Sequence, residues 1–139
     1  MNLLDSKDRE HRKILNRLRD DLIIWLTTVC ADGQPQSVPV WFVWDGESFR
    51  IFSQPGKPKL DNIQRNPRVG LHLQATEIGE DVAIFEGVAE LLDGPLSTGL
   101  PEYIDKYRAE IEGNGWTLET FADDYSEPLR IRPDKLRTW

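Results

Sequence analysis

The segment Ser53-Gln54-Pro55-Gly56-Lys57-Pro58-Lys59-Leu60-Asp61-Asn62 places a glycine, two lysines and a proline where a helix is about to begin. Pro58 suits the first helical turn, because the N–H it lacks would be unpaired there anyway. A helix start presents free N–H groups and a partial positive charge, and anions bind to both. Lys57 and Lys59 add two cations at that end, where basic side chains oppose the helix dipole. A bound phosphate would reverse the sign of that interaction. Gly56 lets the backbone approach a ligand closely, and Ser53, Gln54 and Asn62 surround the lysines with neutral polar groups. The same residues also suit a solvated loop with two ordinary lysines. The spacing of a Walker loop is absent.

Other chemistry-bearing residues are sparser. In Val40-Trp41-Phe42-Val43-Trp44, alternation puts Phe42 and Trp44 toward a core. Trp41 falls on the opposite face, beside Ser37, where it either borders a flat ring or serves an interface. Arg130 and Arg132 share a face of the last strand. They are either solvated edge charges or contacts to an anionic ligand, held in this chain or across a dimer interface. His11 and His72 lie in different elements without metal-ligand spacing, so no metal is expected. His72 alternates with Leu71 and Leu73 and reads as structural or as the rim of a pocket. No Ser-His-Asp signature is present. Glu86-Gly87 marks a bulge or a close backbone approach. The pattern is a grip for a cofactor with no assignable acid, base or nucleophile, as expected where the cofactor carries the reaction.

The elements that must position these residues follow from periodicity. Ile14, Leu15, Leu18 and Leu22 recur at helix spacing behind Asp5 or Ser6 as N-cap. Strands are predicted over 22–30, 37–44, 48–53, 68–75, 82–92 and 129–138, and helices over 59–65, 100–112 and 117–125. Asp32-Gly33 and Asp45-Gly46 are hairpin turns. Pro39 marks an edge or a break in pairing, and Pro133 a bend or edge. Six antiparallel strands at short spacing, with interposed helices, predict a mainly β, α+β barrel or sandwich. With 139 residues, a single domain over 1–139 is expected.

Composition bounds the function. The chain is 39% hydrophobic and 29% charged, ordinary values for a globular protein. Its net charge of −7 and lack of a basic stripe argue against nucleic acid. The lone cysteine, Cys30, permits no internal disulfide and sits in an apolar run, where a buried, inert thiol is expected. No stretch approaches the ~20 apolar residues of a membrane span. Residues 1–13 are charged and lack the apolar core of a signal. A cytoplasmic protein with no membrane partner is the expectation.

Several motifs together resemble the pyridoxamine 5′-phosphate oxidase-like superfamily of FMN-binding split barrels. They are Ala31-Asp32-Gly33-Gln34-Pro35; Val38-Pro39-Val40-Trp41-Phe42 with Asp45-Gly46; Lys59-x-x-Asn62-Ile63 running into Asn66-Pro67-Arg68-Val69; Phe85-Glu86-Gly87-Val88-Ala89; and Ile131-Arg132-Pro133. The resemblance is closest to the actinobacterial flavin/deazaflavin oxidoreductases, many of which use coenzyme F420. It implies a six-stranded split β-barrel and a homodimer with two cofactor sites at the interface. Lys59 falls on the family's phosphate-holding lysine, with Ser53 and Lys57 beside it. Ser37, Val38, Pro39, Val40 and Trp41 fall where members line the ring, largely with backbone. Arg130 and Arg132 match a basic region that reaches the partner's site in some members. Gln36 and Trp41 stand where true pyridoxamine phosphate oxidases carry basic residues, which argues against that reaction. The Pro-Val-Trp-Phe strand and the short Gly-Lys-Pro-Lys loop favour F420, with Lys57, Arg65 and Arg68 as a basic path for its anionic tail. The expectation is F420H2-dependent hydride transfer to a small conjugated substrate. FMN-dependent chemistry, or a non-catalytic cofactor-binding dimer, is the alternative.

Overall fold

Asp8, rather than Asp5 or Ser6, opens the first helix. In the computed structural model, which describes residues 3–139, the Asp8 carboxylate accepts from the N–H groups of Glu10 and His11 and caps α1, Arg9–Asp20. The cap sits later than periodicity suggests because the Asp5 carboxylate is engaged elsewhere: it accepts from the Lys7 N–H at 2.9 Å. Ile14 and Leu18 are the face of α1 that is buried.

Seven strands follow, β1 (Ile24–Val29), β2 (Pro35–Val40), β3 (Val43–Trp44), β4 (Phe49–Ser53), β5 (Arg68–His72), β6 (Ala83–Leu91) and β7 (Glu127–Thr138). They form one antiparallel sheet in the order β2-β1-β5-β6-β7-β4-β3. The sheet curls into a split-barrel-like half-barrel of the α+β class. Helices α2 (Pro58–Arg65), α3 (Pro101–Gly113) and α4 (Leu118–Asp124) complete the set. None of the described helices is long and apolar enough to cross a membrane.

The strand count corrects the expected six. The predicted strand over 37–44 is two strands, β2 and β3, which lie at opposite ends of the sheet. Only Trp41 and Phe42 separate them in the chain. Side-chain alternation nevertheless runs straight through the break. Val40, Phe42 and Trp44 pack into the barrel interior, whereas Trp41 and Val43 pack on the other face.

That alternation divides the apolar residues into two cores. The interior holds Ile24, Leu26, Phe49, Ile51, Leu71, Phe85, Leu129 and Ile131, covered by Ile14 and Leu18 of α1 and Ile63 of α2. The second core lies under α3 and α4 and contains Phe52, Tyr103, Tyr107, Ile111 and Phe121. Every residue of β4 is buried, because this strand contributes to both.

The Glu86-Gly87 bulge expected from sequence is present, with its extra residue on the facing strand. Glu86 pairs with Lys135 and Gly87 with Pro133, so Asp134 has no opposite number. Arg68 takes up the displaced Asp134 carboxylate at 2.5 Å. A Cβ on Gly87 would stand 2.9 Å from Pro133 Cα and closer still to the Arg132 carbonyl. Both obstacles are backbone, so Gly87→Ala is expected to lower unfolding free energy by about 1–3 kcal/mol. Gly113→Ala, where added volume meets nothing, is the control in denaturant titrations.

Candidate functional site

α2 begins where the sequence places it. Lys57 is its N-cap, Pro58 its first residue, and no side chain caps the first turn. Pro58 has no N–H and the Leu60 N–H donates to the Lys57 carbonyl at 3.0 Å, which leaves the Lys59 N–H for another acceptor. Gly56 adopts a φ of +75°, which allows the tight approach from β4 into the helix. Lys57 is exposed and Lys59 half-buried. Burial, and then the neighbouring Lys57 charge, hold the Lys59 pKa below the usual lysine value. Both effects disfavour a cation that has no anion beside it.

Two cavities meet at these lysines. One, of about 260 Å3, is bounded by Lys57, Lys59 and Gln54, by Pro39, Val40 and Trp41, and by aromatic side chains from α3 and α4. The other, of about 400 Å3, runs along β2 beside Ser37, Val38 and Gln36. The fold thus gathers Lys57, Lys59, Gln54, Ser37, Val38, Pro39, Val40 and Trp41 from two distant segments around one pair of cations.

The remaining candidates have other surroundings. Ser53 is buried and its hydroxyl donates to the Gln54 carbonyl at 2.8 Å. Asn62 is buried; its Nδ2 donates to Thr28 Oγ1 at 3.0 Å, and its Oδ1 accepts from Arg65 at 3.1 Å. The bond to Thr28 ties α2 to β1. Asn62 also reaches Cys30 Sγ at 3.8 Å, and that thiol is half-buried rather than fully enclosed. Arg130 and Arg132 lie 3.8 and 3.7 Å from Glu90 and line a separate groove with Ser48 and Asp45. The chain does not bring them to its own lysines. His72 stacks on Trp25 at 6.3 Å and 9°. Among the described residues no cluster of three metal-ligating side chains occurs.

Sequence reasoning missed the helices' share of the site. Tyr103, Trp116, Phe121 and Tyr125 line the smaller cavity with Trp41. Their helical spacing reads as core; the repeated aromatic type was the available signal. It also missed the two residues that fix Trp41. The break after β2 leaves the Phe42 backbone without a strand partner. The Tyr107 hydroxyl accepts from Phe42 N–H at 2.8 Å and lies 2.8 Å from the Leu22 carbonyl. Lys106 Nζ donates to the Phe42 carbonyl at 2.9 Å and the Leu18 carbonyl at 3.1 Å. The Tyr107 ring then stacks under Trp41 at 4.7 Å and 6°.

Lys106 is expected to make the stability of the fold depend on pH. Burial lowers its pKa from the usual 10.5 to about 8, against the upward pull of Asp21 and Asp20. Between these values the unfolded chain holds the proton and the folded chain does not, so stability from this group rises with pH. Below pH 8 the folded state carries the cost of a charged, half-buried amine. Wild type is therefore expected to gain stability relative to Lys106→Met as pH rises from 8 to 10.5. Chemical denaturation across that window measures the difference, and a constant offset would contradict the assignment.

Comparison with known proteins adds to this geometry. The family model described as pyridoxamine 5′-phosphate oxidase matches residues 9–139. A structure titled F420 reductase is similar at 27% identity and a TM-score of 0.69, covering 88% of this chain and 94% of that one. A conserved hypothetical protein from Mycobacterium tuberculosis shares the fold at 24% identity and a TM-score of 0.72, covering 92% and 82% of the two chains. So does a heme storage protein from Vibrio cholerae, at 18% identity and a TM-score of 0.67, covering 94% and 95%. No curated protein sequence gave a significant match.

Proposed function

We propose that this chain, which belongs to the pyridoxamine 5′-phosphate oxidase family, is an oxidoreductase that holds a phosphate-bearing deazaflavin of the F420 type at Lys57 and Lys59. The carrying observation is Lys59, a half-buried cation beside a second lysine at an uncapped helix start. A phosphate fits there on three counts. It accepts from the free Lys59 N–H at the helix start, it pairs with both lysines, and it removes the repulsion between them. The family binds flavin-type cofactors, and the similarity to an F420 reductase supports the deazaflavin over FMN. The heme storage protein, at 18% identity, shares the fold alone.

The chemistry such a cofactor supplies is two-electron hydride transfer. The chain's own contribution is binding and orientation. Lys59 and Lys57 fix the phosphate end. The groove along β2, with Ser37 and Val38, offers a flat backbone surface to a ring. Trp41, held by Tyr107 and the Phe42 backbone bonds, lines the adjoining cavity that shares the two lysines. Among the described residues no carboxylate or histidine lines either cavity, so the substrate or solvent is assigned the proton.

A second copy of the chain completes this reading. Five of the six β2 residues are exposed, and Val88 on the same sheet is 40% exposed. A homodimer over that surface would cover them, and Arg130 and Arg132 would then serve a ligand held by the other protomer. Analytical ultracentrifugation at micromolar concentration is expected to give a dimer; a monomer would count against it.

Titrating the protein separately with F420 and FMN tests the cofactor. Lys59→Ala is expected to weaken F420 binding by about 1.5–3 kcal/mol, roughly 10- to 150-fold. Unchanged affinity in Lys59→Ala would put the phosphate elsewhere, and tight FMN binding without F420 binding would reverse the choice of cofactor.

A further inference from the structure

Arg50, in the middle of β4, is a charge enclosed without a counter-ion. The residue is 7% exposed, and its buried Nε–H has no acceptor. No carboxylate among the described residues stands within salt-bridge reach of it. Arginine stays protonated in proteins, so neutralisation offers no escape. A buried charge without an ion pair or full hydrogen bonding is costly.

Its neighbour has the same deficit. Arg50 stands opposite Arg130 in the β4–β7 register, which puts both side chains on the sheet face away from Phe49 and Ile51. The Arg130 Nε–H is also buried and without an acceptor. Like charges directly opposite on a sheet repel. Arg132, two residues further along β7, shares that face. Glu90 is the carboxylate paired with the β7 arginines, and a single oxygen, Oε1, lies 3.8 Å from Arg130 and 3.7 Å from Arg132. Both distances exceed hydrogen-bond length. A chain with a net charge of −7 thus gathers three guanidinium groups on one stretch of sheet.

Arg130 and Arg132 line a groove of about 430 Å3 with Ser48, Asp45 and Glu47. Asp45 spends both carboxylate oxygens on its own turn: Oδ1 accepts from the Glu47 and Ser48 N–H groups, and Oδ2 from the Ser48 hydroxyl at 2.8 Å. Glu47 is exposed. The groove gives an ion a route to Arg130, with Arg50 beside it on the adjoining strand. Lys57 and Lys59 line other cavities.

We propose that Arg50 and Arg130 form an oxyanion site, separate from the lysine pair, that takes a small tetrahedral anion of the phosphate type. Such an ion accepts from the two orphaned Nε–H groups, bridges β4 to β7 and removes the repulsion across that pair. A carboxylate of a second copy has similar chemistry, but the enclosure of Arg50 within its own chain favours a small ion. The site does not require Lys57 and Lys59 to hold a cofactor.

Arginine Nε–H signals read the site directly. The 15N-labelled full chain is titrated with inorganic phosphate, and with chloride at matched ionic strength. Arg50→Gln and Arg130→Gln assign the signals. Saturable shifts in phosphate are expected at both Nε–H groups, and they persist in a Lys57→Ala, Lys59→Ala double variant. Arg50→Gln is expected to raise the phosphate Kd read at Arg130 roughly tenfold. Denaturant titrations in the double-variant background give a second readout. There Arg50→Met is expected to be at least as stable as its parent in chloride, where the buried charge is unpaired, and only the parent gains stability in phosphate. No shift in phosphate, equal shifts in chloride, or shifts that vanish with the two lysines overturn the proposal. So does an Arg50 signal that follows protein concentration and not phosphate, which would give the site to a second copy.

Discussion

Two residues, Trp41 and Phe42, join the strands at opposite ends of a seven-stranded sheet. An extended chain covers at most ~3.3–3.6 Å per residue, so β2 and β3 must come within a few residues' reach of each other. The sheet has to curl for that to happen, and the curl creates the interior that Phe49, Phe85 and Leu129 fill. The two edges meet without pairing, because the connecting backbone bonds elsewhere. Tyr107 and Lys106 of α3 take both polar groups of Phe42, each bond contributing about 1 kcal/mol and avoiding the larger cost of a buried unpaired group. Barrel closure and the docking of α3 are therefore one interaction.

The candidate site inherits its geometry from that junction. Because alternation survives the break, Phe42 enters the barrel while Trp41 turns outward onto Tyr107. The outward tryptophan meets the start of α2, which β4 delivers from the other side. A common fold is thereby given a particular pocket. The same scaffold is shared by proteins as different as a reductase and a heme storage protein, so the barrel by itself does not fix a chemistry.

Much of this was legible in the residues themselves. Hairpin turns, the Pro58 helix start and the Gly87 bulge are local signals, and each appears where expected. The face assignments of Val40 through Trp44 also hold, since period-2 alternation depends on the backbone alone. The break at Trp41 was not legible beyond the hint of Pro39, because it is set by α3, some 65 residues away in the chain. The aromatic wall escaped for a related reason. Tyr103 and Phe121 are fully buried and serve a core, and nothing local distinguishes a core ring from one whose neighbours border a cavity. Ser53 and Asn62 show the reverse case: polar residues inside the motif whose bonds hold the loop and helix in place.

β2 is one of the two edges of the sheet, and it carries Pro35 and Pro39. A proline nitrogen facing β1 would interrupt their ladder, so both nitrogens face outward. Residues 35, 37 and 39 share that direction, which leaves Ser37 with the single outward N–H of the three. An incoming strand would find too few donors to extend the sheet. Association through the broad face stays open while strand-by-strand growth is blocked. The edge proline pattern thus guards this edge against fibrous aggregation, in the strand that borders the groove beside Lys57 and Lys59.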